Sequence, residues 1–525
     1  MQERQRVEPM PRPLLVNGEA LRLDVQAPNP GGGEKYEPQT VEEAQRVLVP
    51  QVIAAADAAE ALPDSLRAKD RVYVEAKLLP NYLAASYFPT ALLAHVGAAP
   101  VGSRADVGKY VTRSKSVTAQ TRRLIFTVSD DGLRELRRLI SEGGRSRTEE
   151  QAFAQIRELS EISLPRESDI LRKSEPVPDK SPTRRTWEAV LHPLTSRIGE
   201  PIPLDKETLE RWFDLIAAEG GEVYRDYVRR VGGLTFTPVS LDEERAPRLA
   251  LFNPLRVLRP MPAIRPRPRF GTRSVQKLMA PPTHQPLLTT VSVGVFDGGV
   301  DTAHRNGSLF SIPTHDLTTE APDQDDLDHG TGVTGAVLYG LVAPGDQASP
   351  PPLPVESYRV LPAPHVPGDL EGYWVLDRIK EAVETKGHRL VNLSLGPTLA
   401  VEDDMEPNRW TSELDALAWD RDVLFVVAAG NEGDQDRATG LHRVQVPADM
   451  ANGLAVGACD APSPQTPWGR APYSSMGPGR HGARVQPLGV QFGGVDNRMF
   501  NLLRADGSFL EATGTSFAGS SQSTV

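Results

Sequence analysis

Four polar residues sit at the ends of short apolar or glycine-rich runs: Asp297 in VGVFDGGVD, His329 in DHGTGVTG, Asn431 in VVAAGNEG and Ser516 in ATGTSFAG. Each has an ordinary role when taken singly. An Asp before Gly-Gly is a common turn residue, a Ser in a Gly-Thr-Ser run can cap a helix, and His329 could be a satisfied histidine near a helix start. Together they form one chemical set. A serine hydroxyl attacks a carbonyl carbon at neutral pH only when a base removes its proton. A neutral imidazole can take that proton and return it to a leaving amine. A carboxylate accepting the other ring N–H fixes the tautomer and stabilises the imidazolium. An asparagine amide at a strand end can donate to the developing oxyanion. These residue types assign Ser516 as nucleophile, His329 as base and acid, Asp297 as the orienting group and Asn431 as oxyanion donor.

Residues so far apart in sequence need a fold that gathers strand ends. Beyond about residue 289 the chain reads as alternating strands and helices. SVGVFDGG, VESYRVL (355–361), RLVNLSLG (389–396) and VLFVVAAGN (423–431) are strand-like, with helices near 370–386 and 412–422. Continuous apolar strands separated by helices predict an α/β fold, a mostly parallel sheet with helices on both faces. In such a sheet the residues just past the carboxyl ends of strands converge on a crevice. Asp297, Ser394 and Asn431 occupy such positions.

The order Asp, His, Ser and the motifs around them resemble those of the subtilase family, the subtilisin-like serine peptidases. Over residues 289–521, VFDGG, HGTGVTG, AAGN and GTSFA match the family's aspartate, histidine, oxyanion asparagine and serine segments. NLSLG (392–396) resembles the strand that pairs with extended substrate and walls its main specificity pocket. The resemblance implies that Ser394, Leu395 and Gly396 bind substrate. The implied activity is that of a serine endopeptidase acting on extended polypeptide through an acyl-enzyme. Gly298 stands where the family usually has a small hydroxyl residue. The tail is the larger departure, because only FAGSSQSTV follows Ser516. Gly519 and the serines are poor helix formers, so a helix of about three residues, too short to hold without packing, is expected beyond Ser516. The domain at 289–525 therefore reads as C-terminally incomplete and weakly active. The alternative is a non-catalytic binding or regulatory protein on the same scaffold.

The remaining sequence bounds the setting. The chain has 525 residues, a net charge of −11 and a single cysteine, Cys459. Its length favours more than one domain. Its acidity gives no support to nucleic-acid or anionic-membrane binding, and one cysteine excludes an internal disulfide framework. With no apolar signal core at the start and no apolar run of spanning length, a cytoplasmic location is expected. The acidic run EAPDQDDLD before His329 offers hard oxygen ligands, but has no calcium-loop pattern and reads as a solvated loop. No metal or cofactor is expected. Residues 1–40 read as a flexible lead-in, 41–250 as an accessory α/β or α+β region and 251–288 as a Pro-rich linker. Within the accessory region a helix broken near Pro50, strands at 71–78 and 122–129, and further helical material over 187–230 are expected. It is read as a retained domain able to engage substrate or a protein partner, rather than a cleaved propeptide.

Overall fold

The computed structural model describes residues 39–523, apart from residue 81 and residues 112–115, 173–183, 197–198, 265–268, 276–277, 283–285, 304–308, 363–369, 402–407, 463–467 and 481–484. The expected lead-in over 1–40 lies almost wholly outside the described residues.

The first helix, α1 (Val41–Ala61), opens on a capping box in which Thr40 Oγ1 accepts from Glu43 N–H and the Glu43 carboxylate accepts from Thr40 N–H. The expected break at Pro50 does not occur. Ala44, Leu48, Val52, Ala55 and Ala59 form one buried stripe that continues through the proline, and this packing offsets the hydrogen bond that Pro50 cannot make. There follow β1 (Val72–Leu78), α2 (Thr90–His95), β2 (Ala99–Val111), β3 (Ser116–Val128), α3 (Asp130–Glu142) and β4 (Leu159–Ser163). They form an antiparallel sheet in the order β2-β3-β1-β4.

The same β-α-β-β-α-β topology then recurs. β5 (Arg184–Leu191), α4 (Lys206–Ala218), β6 (Glu222–Val223), β7 (Leu234–Asp242), α5 (Ala246–Leu249) and β8 (Leu255–Pro260) build a second antiparallel sheet in the order β6-β7-β5-β8. The helix expected over 187–230 is confined to α4, which buries Trp212, Phe213 and Ile216. The segment Trp187–Leu191 is instead a strand buried on both faces, where an apolar run carries no periodicity to tell strand from helix. Asn253 joins the two units: its Oδ1 accepts from Tyr73 N–H at 2.7 Å and its Nδ2 donates to the Tyr73 carbonyl at 3.0 Å.

The stretch expected as linker contains β8 and a further strand, β9 (Arg269–Val275). Between them Ala263 O accepts from Thr398 N–H at 3.0 Å, and Ile264, fully buried, bridges to Pro397.

Seven strands then form a wholly parallel sheet: β10 (Val293–Asp297), β11 (Thr314–Asp316), β12 (Val355–Arg359), β13 (Leu390–Leu393), β14 (Leu424–Ala428), β15 (Gly453–Cys459) and β16 (Gly489–Phe492), in the order β11-β12-β10-β13-β14-β15-β16. Alternate residues face opposite cores. Phe296, Val391 and Phe425 pack under α7 (Glu371–Lys386) and α8 (Arg409–Arg421), whereas Val295, Leu390 and Val426 pack under α6 (Gln324–Tyr339) and α9 (Thr515–Gln522). This is the expected α/β fold with helices on both faces. A hairpin, β17 (Phe500–Leu503) and β18 (Phe509–Thr513), leads into α9, and β9 pairs antiparallel with β18.

The second antiparallel unit docks on α7 and α8. Tyr373 donates to Glu188 at 2.7 Å, Arg229 pairs with Asp377, and the fully buried Arg409 holds both Asp377 and Glu413. No helix among the described residues is long and apolar enough to cross a membrane.

Candidate active site

Asp297 is the last residue of β10, third in the seven-stranded sheet, and is 1% exposed. Its Oδ1 accepts from Gly298 N–H at 2.7 Å and lies 2.7 Å from Nδ1 of His329. His329 is in the second turn of α6 and is itself buried. The acidic run that precedes it has a structural explanation. Asp323 is the N-cap, accepting from Asp325 and Asp326 N–H, and the next two acidic residues lie in the first turn, where the helix dipole favours negative charge. No group of three potential metal ligands occurs among the described residues.

Close backbone approach sets the Asp297–His329 distance. A Cβ added to Gly330 would lie 2.3 Å from Gly299 O, and one on Gly298 would lie 2.0 Å from Asp326 O. Glycine at 298 is therefore required because α6 begins directly against it, which accounts for the departure from the family's hydroxyl residue. Burial alone would push the His329 imidazole toward its neutral form. The charge and hydrogen bond of Asp297 outweigh burial, Asp326 adds to them, and the pKa of His329 stands above the ordinary 6.5.

Ser516 lies in the first turn of α9 and is largely buried. The tail departs from expectation. The helix runs to Gln522, and Thr515 through Ser521 are all buried. Its serines are satisfied within the helix: Ser520 Oγ donates to Ser516 O at 2.6 Å and Ser521 Oγ to Ala518 O at 3.1 Å. Small side chains that bond back to their own carbonyls let the helix backbone lie close to the sheet, and tertiary packing replaces the missing propensity.

The sheet also anchors α9. Ser394 Oγ donates to Ser516 O at 3.2 Å, and Asn392 Nδ2 donates to Ser523 Oγ at 3.1 Å. Asn431 follows β14 and accepts through Oδ1 from both Thr515 N–H at 2.9 Å and Thr515 Oγ1 at 3.0 Å. These bonds orient its carboxamide. Thr515 and Asn392 thus serve the site without having been singled out as site residues, although both lie inside the motifs GTS and NLSLG.

His329, Asn431, Ser516 and the stretch Ser394–Gly396 line one cleft. Within it the Ser516 hydroxyl points at Ser394 O, 3.5 Å away, and no hydrogen bond to His329 is formed. Phe517 packs against the His329 ring, with centroids 5.9 Å apart. The arrangement supplies a buried carboxylate–imidazole pair, a hydroxyl at a helix N-terminus and an amide held at a strand end. That set is suited to acyl transfer.

Residues 289–524, a little under half of the chain, match the model of the subtilase family, and this part of the chain is similar to subtilisin-like serine peptidases. Subtilisin NAT of Bacillus subtilis subsp. natto is 26% identical over 211 residues, which make up 39% of this chain and 49% of that protein. The major intracellular serine protease of Bacillus subtilis (strain 168) is 29% identical over 172 residues, 32% of this chain and 50% of that one. The chain thus spans about half the length of these relatives. Among solved structures, the self-cleaved protease domain of PatA aligns with a TM-score of 0.30 at 24% identity, covering 44% of this chain and 76% of that one.

Proposed function

We propose that residues 289–524 form a serine endopeptidase acting on extended polypeptide. The observation that carries this reading is the buried Asp297–His329 pair at 2.7 Å, set in one cleft with Ser516 and Ser394–Gly396. On substrate binding, rotation of Ser516 about its Cα–Cβ bond turns Oγ from Ser394 O toward Nε2 of His329. Catalytic hydrogen bonds that are slack in a free enzyme tighten in this way in the complex. Ser516 Oγ attacks the peptide carbonyl as His329 takes its proton. Asp297 holds the imidazole by Nδ1 and stabilises its charge. The Asn431 amide and the Ser516 backbone N–H stabilise the oxyanion. His329 then protonates the leaving amine, and water, deprotonated by His329, hydrolyses the acyl-enzyme. Ser394, Leu395 and Gly396 carry the backbone of the substrate.

The two antiparallel units serve as a retained accessory region, its second unit docked on α7 and α8, that recruits substrate or a protein partner. The protein acts in the cytoplasm, a setting suited to a chain whose single cysteine is a buried free thiol. Cell fractionation followed by N-terminal sequencing of the purified protein tests both statements. A mature start near residue 280 would overturn the retained region. The activity is tested by hydrolysis of a fluorogenic peptide panel by the wild-type chain and by Ser516→Ala. Turnover is expected only from the wild type, and equal turnover by both would remove Ser516 from its role.

One observation favours a second reading, a binding protein without turnover: the Ser516 hydroxyl bonds to Ser394 O and not to His329. Saturable peptide binding by a wild-type chain that hydrolyses no member of the panel would select it.

A further inference from the structure

Beside Ser516 the cleft narrows to a slot between two walls. One is Ser394–Gly396, leaving β13, and the other is Ala428–Gly430, leaving β14. A third segment closes the slot from below. Gln445 N–H donates to Ala429 O in the second wall and Val446 N–H to Leu399 O, three residues beyond the first wall, both at 2.9 Å. A Cβ on Gly396 would lie 2.5 Å from Val446 O and 2.8 Å from Pro447 Cδ, and the floor therefore rests directly on the first wall.

The Gln445 side chain completes the closure. A Cβ on Gly430 would lie 2.4 Å from its Cγ and 3.0 Å from its Cβ, which puts the aliphatic part of Gln445 flat against the second wall. Its Nε2 donates to Arg443 O at 3.0 Å and fixes the rotamer. The cavity left in the whole cleft is about 80 Å³. A cavity able to hold a benzene ring measures about 150 Å³. An aromatic side chain does not enter this space unless Gln445 leaves it.

We propose that Gln445 sets substrate specificity by limiting the residue on the acyl side of the scissile bond to a small side chain, glycine, alanine or serine. The proposal rests on the reading of Ser516 as nucleophile, which defines that side of the cleft. The selecting element is steric. A larger residue must break the Gln445–Arg443 hydrogen bond and displace a side chain packed on Gly430, whereas a methyl group needs neither.

The test measures binding without turnover. Two hexapeptide acids of identical sequence except for a C-terminal Ala or Phe are titrated calorimetrically into the full chain carrying Ser516→Ala. The Ala peptide is expected to bind about tenfold tighter or more, in the range that pocket fit supplies. Adding Gln445→Gly is expected to reverse the order, and adding Gln445→Ala, which keeps an ordinary backbone, to shrink the ratio. Equal affinities, tighter binding of the Phe peptide to the Gln445 form, an unchanged ratio in both variants or no binding of either peptide would each overturn the proposal. Covalent labelling of the wild-type chain by a serine-directed phosphonate is scored separately. Its absence would fail the nucleophile reading without altering the measured binding ratio.

Discussion

Gly298→Ala should disable the site through one methyl group. The substitution leaves Asp297, His329, Asn431 and Ser516 in place. Its Cβ would be built 2.0 Å from Asp326 O, whereas real Cβ contacts essentially never fall below 3.0 Å. The start of α6 must therefore retreat by about 1 Å, and His329 lies three residues further along that helix. Displacement of a reacting group by about 1 Å costs about a hundredfold in rate. The expected result is a kcat about a hundredfold lower with KM little changed, because the walls proposed to bind substrate are on other elements. Overpacking should also lower stability, by about 1–3 kcal/mol, so kinetics are measured well below the unfolding transition. The low-field Nδ1 proton resonance of His329 should shift or broaden as the Asp297 bond lengthens. Wild-type kcat in a folded Gly298→Ala chain would refute the reasoning.

Three further outcomes follow from the same geometry. The raised pKa of His329 means that kcat/KM must climb through a midpoint above 6.5 as the imidazole loses its proton, and Asp326→Asn, by removing a charge that favours the imidazolium, should move that midpoint toward acid; a pH–rate profile with its acidic limb at or below 6.5 would contradict this. The same upward shift makes protonated His329 a source of stability that is fully present below its unfolded pKa and lost as pH rises through the folded one. Asn431→Asp retains an acceptor for Thr515 but no amide donor, and steady-state kinetics should show kcat reduced about a hundred- to a thousandfold. Arg409→Met removes the buried centre of a network in which Glu413 keeps Lys380 and Asp377 keeps Arg229, so urea unfolding should show a loss below the roughly 3–5 kcal/mol of a buried charge left without any partner, and adding Lys380→Met, which does leave Glu413 without a cation, should raise the loss into that range.

Four of the seven parallel strands were legible as short, mostly apolar runs that end in polar or glycine residues, whereas the edge strands Thr314–Asp316 and Gly489–Phe492 are short and partly exposed and carry no such run. The run VGVFD could only be a covered strand, and Asp297 is its final residue in the structure. The helix α9 was not legible. FAGSSQ has neither propensity nor an apolar stripe, and its stability comes from burial against α6 and the sheet, and from serine hydroxyls returned to its own carbonyls. Propensity arguments fail where tertiary packing decides. The same failure made the buried strand at Trp187–Leu191 read as helix. It also hid the strand Leu255–Pro260 inside a proline-rich stretch, where only Pro260, at the strand end, lies within the ladder. The repeated β-α-β-β-α-β topology left no sequence trace, because two sheets can share a chain path without sharing side chains. Gln445 carries no motif at all, and its place in the cleft depends on contacts with Gly430 and Arg443 that only the folded chain creates.

Ser516 as nucleophile of the buried Asp297–His329 pair is tested most directly by intact-protein and peptide mass spectrometry after exposure to a serine-directed phosphonate, near neutral pH and again after acidification below the His329 transition. One adduct per chain is expected, located on the peptide containing Ser516, with labelling slowed by acidification and abolished by His329→Ala. An adduct on another residue, or labelling of Ser516 that is indifferent to both pH and His329→Ala, would contradict it.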